Sequence, residues 1–178
     1  LCCRNAAITT ITSPSSTKFY IHATPNNLIT PCNSSPTFSN KPVPFLCLGQ
    51  QFCFNHGAYD ADGDSLVYSL ITPKQTASTS VSYIAPYNAS NPLNSSPVTS
   101  FNSSTGDICL TPQALEVTVM AVLVKEYRNG VLIGSVERDL QITVMNCANN
   151  LPSLTGINGT NIFSMTLCAN QNTCFNIF

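Results

Sequence analysis

The stretch EVTVMAVLVKEYRNGVLIGSVERDLQITVMN, residues 116–146, decides the fold class of this chain. Residues 116–127 predict one long strand that is rich in β-branched residues. Val117, Val119 and Leu123 recur with the period of two that places side chains on one face of a strand. This strand-like pattern favours a β-protein.

A hairpin signal follows this strand. Asn129-Gly130 is the dipeptide most typical of a type I′ turn, because both central residues of that turn have positive φ. Residues 131–136 and 139–146 then predict two further strands. The charged residues of the hairpin are expected to be solvated: Glu116, Glu126, Glu137 and Arg128.

The rest of the chain also has the pattern of short strands. Runs rich in Val, Ile, Thr, Phe and Tyr alternate with Pro, Gly, Asn and Ser clusters, and no segment has a helical period over a helical length. Strands are predicted at 18–23, 45–48, 51–56, 65–72 and 107–111. Residues 75–104 predict a long surface excursion with one strand at 81–84. The all-β pattern indicates a sandwich or a barrel, and a sandwich is favoured because its ends can join domains in series.

One block of sequence occurs twice. LCLGQQFCFN at 46–55 and LCANQNTCFN at 167–176 are offset by 121 residues, and so are both of their cysteine pairs. A long fixed period predicts tandem domains. We therefore expect residues 1–31 to be the tail of a preceding repeat, 32–147 one complete repeat, and 148–178 the first strands of the next.

Composition excludes several classes of protein. Charged residues make up 8% of the chain and the net charge is −1, so nucleic acid and anionic membranes are poor partners. The nine cysteines have no zinc-site spacing and predict disulfides in an oxidising, extracellular environment. The longest apolar stretch, residues 117–124, is too short to insert into a membrane.

The segment YDADGDSLVYSL, residues 59–70, contains the candidate metal-binding residues. Asp60, Asp62 and Asp64 alternate around Gly63, and three such close carboxylates repel one another unless a cation lies among them. Ca²⁺ is the expected ion because it is a hard cation that binds six to eight oxygens. The alternative is an Asp-Gly turn held by side-chain to backbone hydrogen bonds. The sequence leaves both possibilities open.

Catalysis has little support, and we expect no enzyme. His56 follows Cys53 by three residues, a spacing that puts the two side chains on opposite faces of a strand. The chain has none of the nucleophile-elbow, HExxH or glycine-rich phosphate-loop motifs.

Three strings in order carry a resemblance: DADGDSLVYSL (60–70), TGDICLTP (105–112) and LQITVMN (140–146). Together they resemble the cadherin-like and Ig-like repeats of bacterial surface proteins. With the Cys-rich LCxxQxxCFN block, the chain is similar to repeats of very large gliding-motility-type adhesins and sorted surface proteins of the Bacteroidota. The resemblance covers residues 35–146.

The resemblance implies a Greek-key sandwich, with one complete repeat inside a tandem array, whose acidic loop binds Ca²⁺. The implied function is structural or adhesive, as a segment of a cell-surface protein or filament. Its partners would be neighbouring repeats or subunits in a linear head-to-tail array, and surface glycans or other cells. The alternative is a carbohydrate-binding or accessory module of a secreted enzyme.

The same resemblance implies a disulfide scheme. In an Ig-like sandwich the strand before the acidic loop pairs with the TGDICLTP strand, which sets Cys53 opposite Cys109. The remaining pairs would be Cys32–Cys47 and its copy in the next repeat, Cys147–Cys168. Segments 1–31 and 148–178 are expected to lack strand partners within the chain and to pair with a neighbouring repeat or subunit.

Overall fold

The computed structural model describes residues 3–148 and residue 157. The chain divides into two compact units, 1–147 and 148–178, and all of the described strands belong to the first unit. The prediction of an all-β fold is confirmed, since the described residues contain ten strands, one short 3-10 turn at Pro14–Ser16 and no α-helix. The Ig-like Greek-key topology stays a prediction. The strands are β1 (Ala23–Pro25), β2 (Thr37–Phe38), β3 (Phe45–Cys47), β4 (Phe52–Asn55), β5 (Ala58–Tyr59), β6 (Ser65–Ile71), β7 (Ser100–Phe101), β8 (Asp107–Leu110), β9 (Val117–Arg128) and β10 (Val131–Met145).

The β9–β10 hairpin is the centre of the largest sheet. Its strands lie in the order β1-β10-β9-β6, and β3 joins β10 as a parallel neighbour. Asn129 and Gly130 have φ of 51° and 79°, as a type I′ turn requires. The two strands predicted after the turn form one continuous strand of 15 residues, β10, with a register shift between Leu132 and Gly134.

A second, three-stranded sheet of order β4-β8-β7 covers one face of the largest sheet. Apolar side chains from both sheets meet in one buried cluster, with Ile108 and Leu110 of β8 against Met120 of β9 and Leu140 of β10. A further cluster around Val122 and Val124 continues this interior. Strands β2 and β5 form a separate antiparallel pair. This arrangement is consistent with the predicted β-sandwich.

The N-terminal segment covers the opposite face of β9. Ile8 and Ile11 are buried against Val119, together with Val81 from the loop after β6. The predicted strand face of β9 is therefore buried as well, and β9 is covered on both sides.

Strand pairing also ties the N-terminal segment to the same unit. β1 pairs antiparallel with residues 134–136 of β10. The expectation that segment 1–31 lacks strand partners within the chain is therefore wrong. Its assignment to a preceding repeat stays a prediction, and the expected strands of 148–178 lie outside the described residues.

Two disulfides join pairs of described cysteines. Cys53 and Cys109 lie directly opposite each other on β4 and β8 and are bonded, as predicted. Cys47 is bonded to Cys147, across a Cα–Cα distance of 5.4 Å. The predicted pairs Cys32–Cys47 and Cys147–Cys168 are therefore wrong, and Cys32 has an exposed free thiol. The physical reason is the parallel pairing of β3 with β10, which sets Cys47 beside Met145, two residues before Cys147.

Candidate functional site

The acidic loop connects β5 to β6 and is a tight turn. The side chain of Asp60 is 5% exposed, and its Oδ1 accepts hydrogen bonds from the backbone N–H groups of Asp62 (2.9 Å) and Asp64 (3.1 Å). Gly63 has a φ of 81°, which glycine adopts without a steric penalty. The side-chain to backbone turn that the sequence offered as one alternative is thus part of the structure. It uses only one of the two oxygens of Asp60.

Glu126 of β9 completes an acidic cluster at this loop. One carboxylate oxygen each from Asp60, Asp64 and Glu126 lies within 4.8 Å of the others. Glu126 is completely buried, so the expectation that it is solvated is wrong. The two other glutamates of the hairpin, Glu116 and Glu137, are also buried, so the expectation that they are solvated is wrong as well.

Sequence reasoning missed Glu126 although a signal was present. It lies two and four residues after Val124 and Val122, so strand alternation places it on the same interior face. Asp62, which the sequence grouped with Asp60 and Asp64, lies outside the cluster. Its Oδ2 accepts a hydrogen bond of 2.6 Å from the backbone N–H of Ser34.

Arg128 is a partner of the acidic loop rather than a solvent-exposed turn residue. Its Nε and Nη2 donate to the two carboxylate oxygens of Asp64 at 2.7 and 2.5 Å. This bidentate pair holds the pKa of Asp64 below its ordinary value, chiefly through the hydrogen bonds from Arg128. Asp64 is therefore ionised in the folded protein at neutral pH.

Asn33 links Arg128 to Glu126. Its side-chain oxygen accepts a hydrogen bond of 2.7 Å from Arg128 Nη2, and its Nδ2 donates to Glu126 Oε1 at 2.5 Å. Burial raises the pKa of Glu126, the hydrogen bond from Asn33 opposes that shift, and the charge of Asp60 adds to it. Residues from three parts of the chain, the segment before β2, the acidic loop and the end of β9, thus form one polar site.

The two histidines lie in different surroundings. His56 is fully buried between Phe54 and Phe38, and both of its ring nitrogens lack hydrogen-bond partners. Cys53 is bonded to Cys109, so it supplies no thiolate for a Cys–His pair. His22 Nδ1 lies 3.1 Å from the carboxylate of Glu137.

Comparison with known proteins gives no match: no family model fits the chain, and no curated protein or solved structure is significantly similar to it. The part of the chain that the structure describes contains no helix long and apolar enough to cross a membrane. The disulfides indicate an oxidising, non-cytoplasmic environment.

Proposed function

We propose that this chain is a structural segment of an extracellular surface protein or filament, in which disulfide-braced β-modules follow one another head to tail. Adhesion to other cells or to surface glycans belongs to the whole array, and this segment acts as a stiff spacer within it. The low charge, the all-β fold and the disulfides support this proposal. The Cys47–Cys147 bond is the observation that most directly supports a spacer role.

That bond spans 100 residues and closes close to the C-terminal end of the first unit. When an array is stretched, tension passes along the polypeptide from one module to the next. A covalent bond between Cys47 and Cys147 transmits the tension directly, so residues 48–146 do not carry it. The β9–β10 hairpin and the strands between the two cysteines therefore cannot be pulled out into an extended chain, as a spacer requires.

The carbohydrate-binding alternative has no comparable support. The most exposed aromatic side chains in the described strands, Phe45 and Tyr59, belong to different sheets. No specific observation favours that function over the structural one, and it stays a prediction.

The location and oxidation state of the natural protein test the proposal. Intact source cells are labelled with a membrane-impermeant reagent, thiols are blocked before lysis, and non-reducing peptide mapping follows. We expect surface labelling and a Cys47–Cys147 peptide pair. A protein that is protected from the label and has both cysteines reduced would rule the proposal out.

Single-molecule stretching tests the force path. Handles are attached at residues 1 and 178 of a variant chain that keeps the disulfides Cys47–Cys147 and Cys53–Cys109 and loses the cysteines that could form others. That parent carries four substitutions: Cys2→Ser, Cys3→Ser, Cys168→Ser and Cys174→Ser. In its oxidised form, residues 48–146 should add no extension. Cys47→Ser should release about 150 Å, from the 44 residues (100 less 56) outside the Cys53–Cys109 loop.

A matched control separates the two bonds. Cys53→Ser alone should leave the extension unchanged, because Cys47–Cys147 still closes the larger loop. Loss of both bonds should release about 350 Å in total. A full release in the oxidised parent would show that the Cys47–Cys147 bond does not carry the tension.

A further inference from the structure

Two buried carboxylate oxygens of the acidic cluster have no hydrogen-bond partner. They are Asp60 Oδ2 and Glu126 Oε2, on side chains that are 5% and 0% exposed. An ionised carboxylate away from water is costly unless a positive group or several donors compensate for it. The other oxygen of each side chain is bonded, Asp60 Oδ1 to the backbone of the turn and Glu126 Oε1 to Asn33. The two oxygens without partners therefore point to a missing positive charge.

The balance of charges in the cluster gives the size of the missing positive charge. Asp60, Asp64 and Glu126 together carry three negative charges when ionised, and Arg128 supplies one positive charge against Asp64. The side chain of Asp62 is 31% exposed, and its carboxylate lies 3.8 Å from Arg128 and is screened by solvent, so the balance covers the three buried carboxylates only. The buried site is left with two negative charges, which one divalent cation would neutralise.

Geometry and donor chemistry favour calcium. Ca²⁺ binds oxygen at about 2.3–2.6 Å, so two of its ligands on opposite sides are about 5 Å apart. The three cluster oxygens lie within 4.8 Å of one another, which meets this limit. The cluster contains no nitrogen or sulfur donor, which disfavours Zn²⁺. Ca²⁺ also accepts irregular arrangements that the near-octahedral Mg²⁺ does not.

We propose that Asp60, Asp64 and Glu126 hold one Ca²⁺-class cation between the acidic loop and β9. Water or main-chain oxygens complete its coordination. The site differs from the one that the sequence alone indicated, because Glu126 of β9 replaces Asp62. The bound ion cross-links the loop to the long hairpin, and Asn33 and Arg128 position the ligands from outside. The site does not depend on the function proposed above, since a module of any role can contain it.

Terbium luminescence and thermal unfolding of the full chain test this proposal. Tb³⁺ is a Ca²⁺ substitute that tyrosine excitation sensitises, and Tyr59 adjoins Asp60 in a chain without tryptophan. We expect Tb³⁺ emission that Ca²⁺ displaces with one-site stoichiometry. Ca²⁺ at about 100 times its Kd should raise the Tm by about 5–10 °C over the value in chelator.

Two substitutions of equal charge separate the buried site from the exposed loop. Glu126→Gln keeps the shape of the side chain and should abolish both the Tb³⁺ signal and the Ca²⁺-dependent rise in Tm. Asp62→Asn removes the same charge from the same loop and should change the Kd less than threefold. If Glu126→Gln fails to fold, Asp60→Asn serves in its place, because an asparagine keeps the Oδ1 acceptor of the turn and loses only the ligand oxygen.

Two results would overturn the inference. A parent chain whose Tm is the same in millimolar Ca²⁺ and in chelator, with no displaceable Tb³⁺ emission, would show that the cluster binds no cation. Equal loss of binding in Asp62→Asn and Glu126→Gln would place the ion on the exposed loop instead.

Discussion

Gly134 lies directly opposite Glu126 in the β9–β10 ladder, and a Cβ atom at Gly134 would come within 2.6 Å of Glu126 Oε2. The glycine therefore leaves the space that the buried carboxylate occupies. Glu126 is held from its other side by Asn33, so its carboxylate has little freedom to move away. The pair explains why a glycine stands inside a long strand, where it otherwise weakens the structure.

Gly134→Ala should therefore destabilise the fold by about 1–3 kcal/mol, the usual cost of overpacking an interior. It should also weaken cation binding at the acidic cluster, because the methyl group displaces Glu126 Oε2. Chemical denaturation and the Tb³⁺ titration measure the two effects. The control is the same substitution in a Glu126→Ala background, where the methyl group has room. An equal loss of stability in both backgrounds would contradict the steric explanation.

The N-terminal segment forms part of the same folded unit as the sheets. Arg4 and Asp139 form a buried ion pair with side chains only 3% exposed, and Ile8 and Ile11 cover Val119. Removal of residues 1–31 would expose this apolar face and leave Asp139 without its partner. A fragment of residues 32–147 should therefore aggregate or lack a cooperative unfolding transition, whereas residues 1–147 should fold cooperatively. Size-exclusion chromatography and calorimetry of the two fragments make the comparison.

A single substitution provides the control for that truncation. Arg4→Ala in the full chain leaves one buried charge unpaired and should cost about 3–5 kcal/mol. Lys41→Ala, at an exposed position, should have little effect. A soluble 32–147 monomer with the Tm of the longer fragment would show instead that the repeat is self-sufficient without residues 1–31.

Local signals in the sequence predicted the features that depend on neighbouring residues. Asn129-Gly130 specifies the hairpin turn from two adjacent residues, whereas the two strands predicted after it form one continuous strand, β10. Cys53 and Cys109 follow from the pairing of β4 with β8, which the resemblance implied.

The features that the sequence did not reveal depend on long-range packing. Cys47 meets Cys147 only because β3 joins β10 in parallel across about a hundred residues of chain, and no local pattern specifies that pairing. The sequence predicts solvent exposure for Glu126 because charged residues on hairpins usually are exposed. Its burial depends on Gly134 and on the acidic loop, which the fold brings together from distant positions.

His56 makes the stability of the fold dependent on pH. It is packed edge-on against Phe54, and its ring centroid lies 4.9 Å from that of the phenylalanine. Burial lowers the pKa of His56 to about 4, and the nearby charge of Arg138 adds to the effect. The unfolded chain binds a proton at this residue near pH 6.5, so it is more protonated than the folded state between pH 6.5 and 4. Stability should therefore be complete above pH 6.5 and fall by about 3 kcal/mol as the pH drops to 4.

His56→Leu, which has a similar volume and no titrating group, should flatten this part of the stability curve. Denaturant unfolding at a series of pH values from 4 to 7 gives the slopes of the two proteins. The chain has only two histidines, so NMR titration of the parent and of His56→Leu assigns the His56 resonance and measures its pKa directly. A pKa near 6.5, or equal slopes in the two proteins, would show that the buried ring has ready access to protons in the folded state. A pKa near 4 together with a flatter slope in the variant would identify His56 as a source of the acid sensitivity, since only the loss of that ring distinguishes the two proteins.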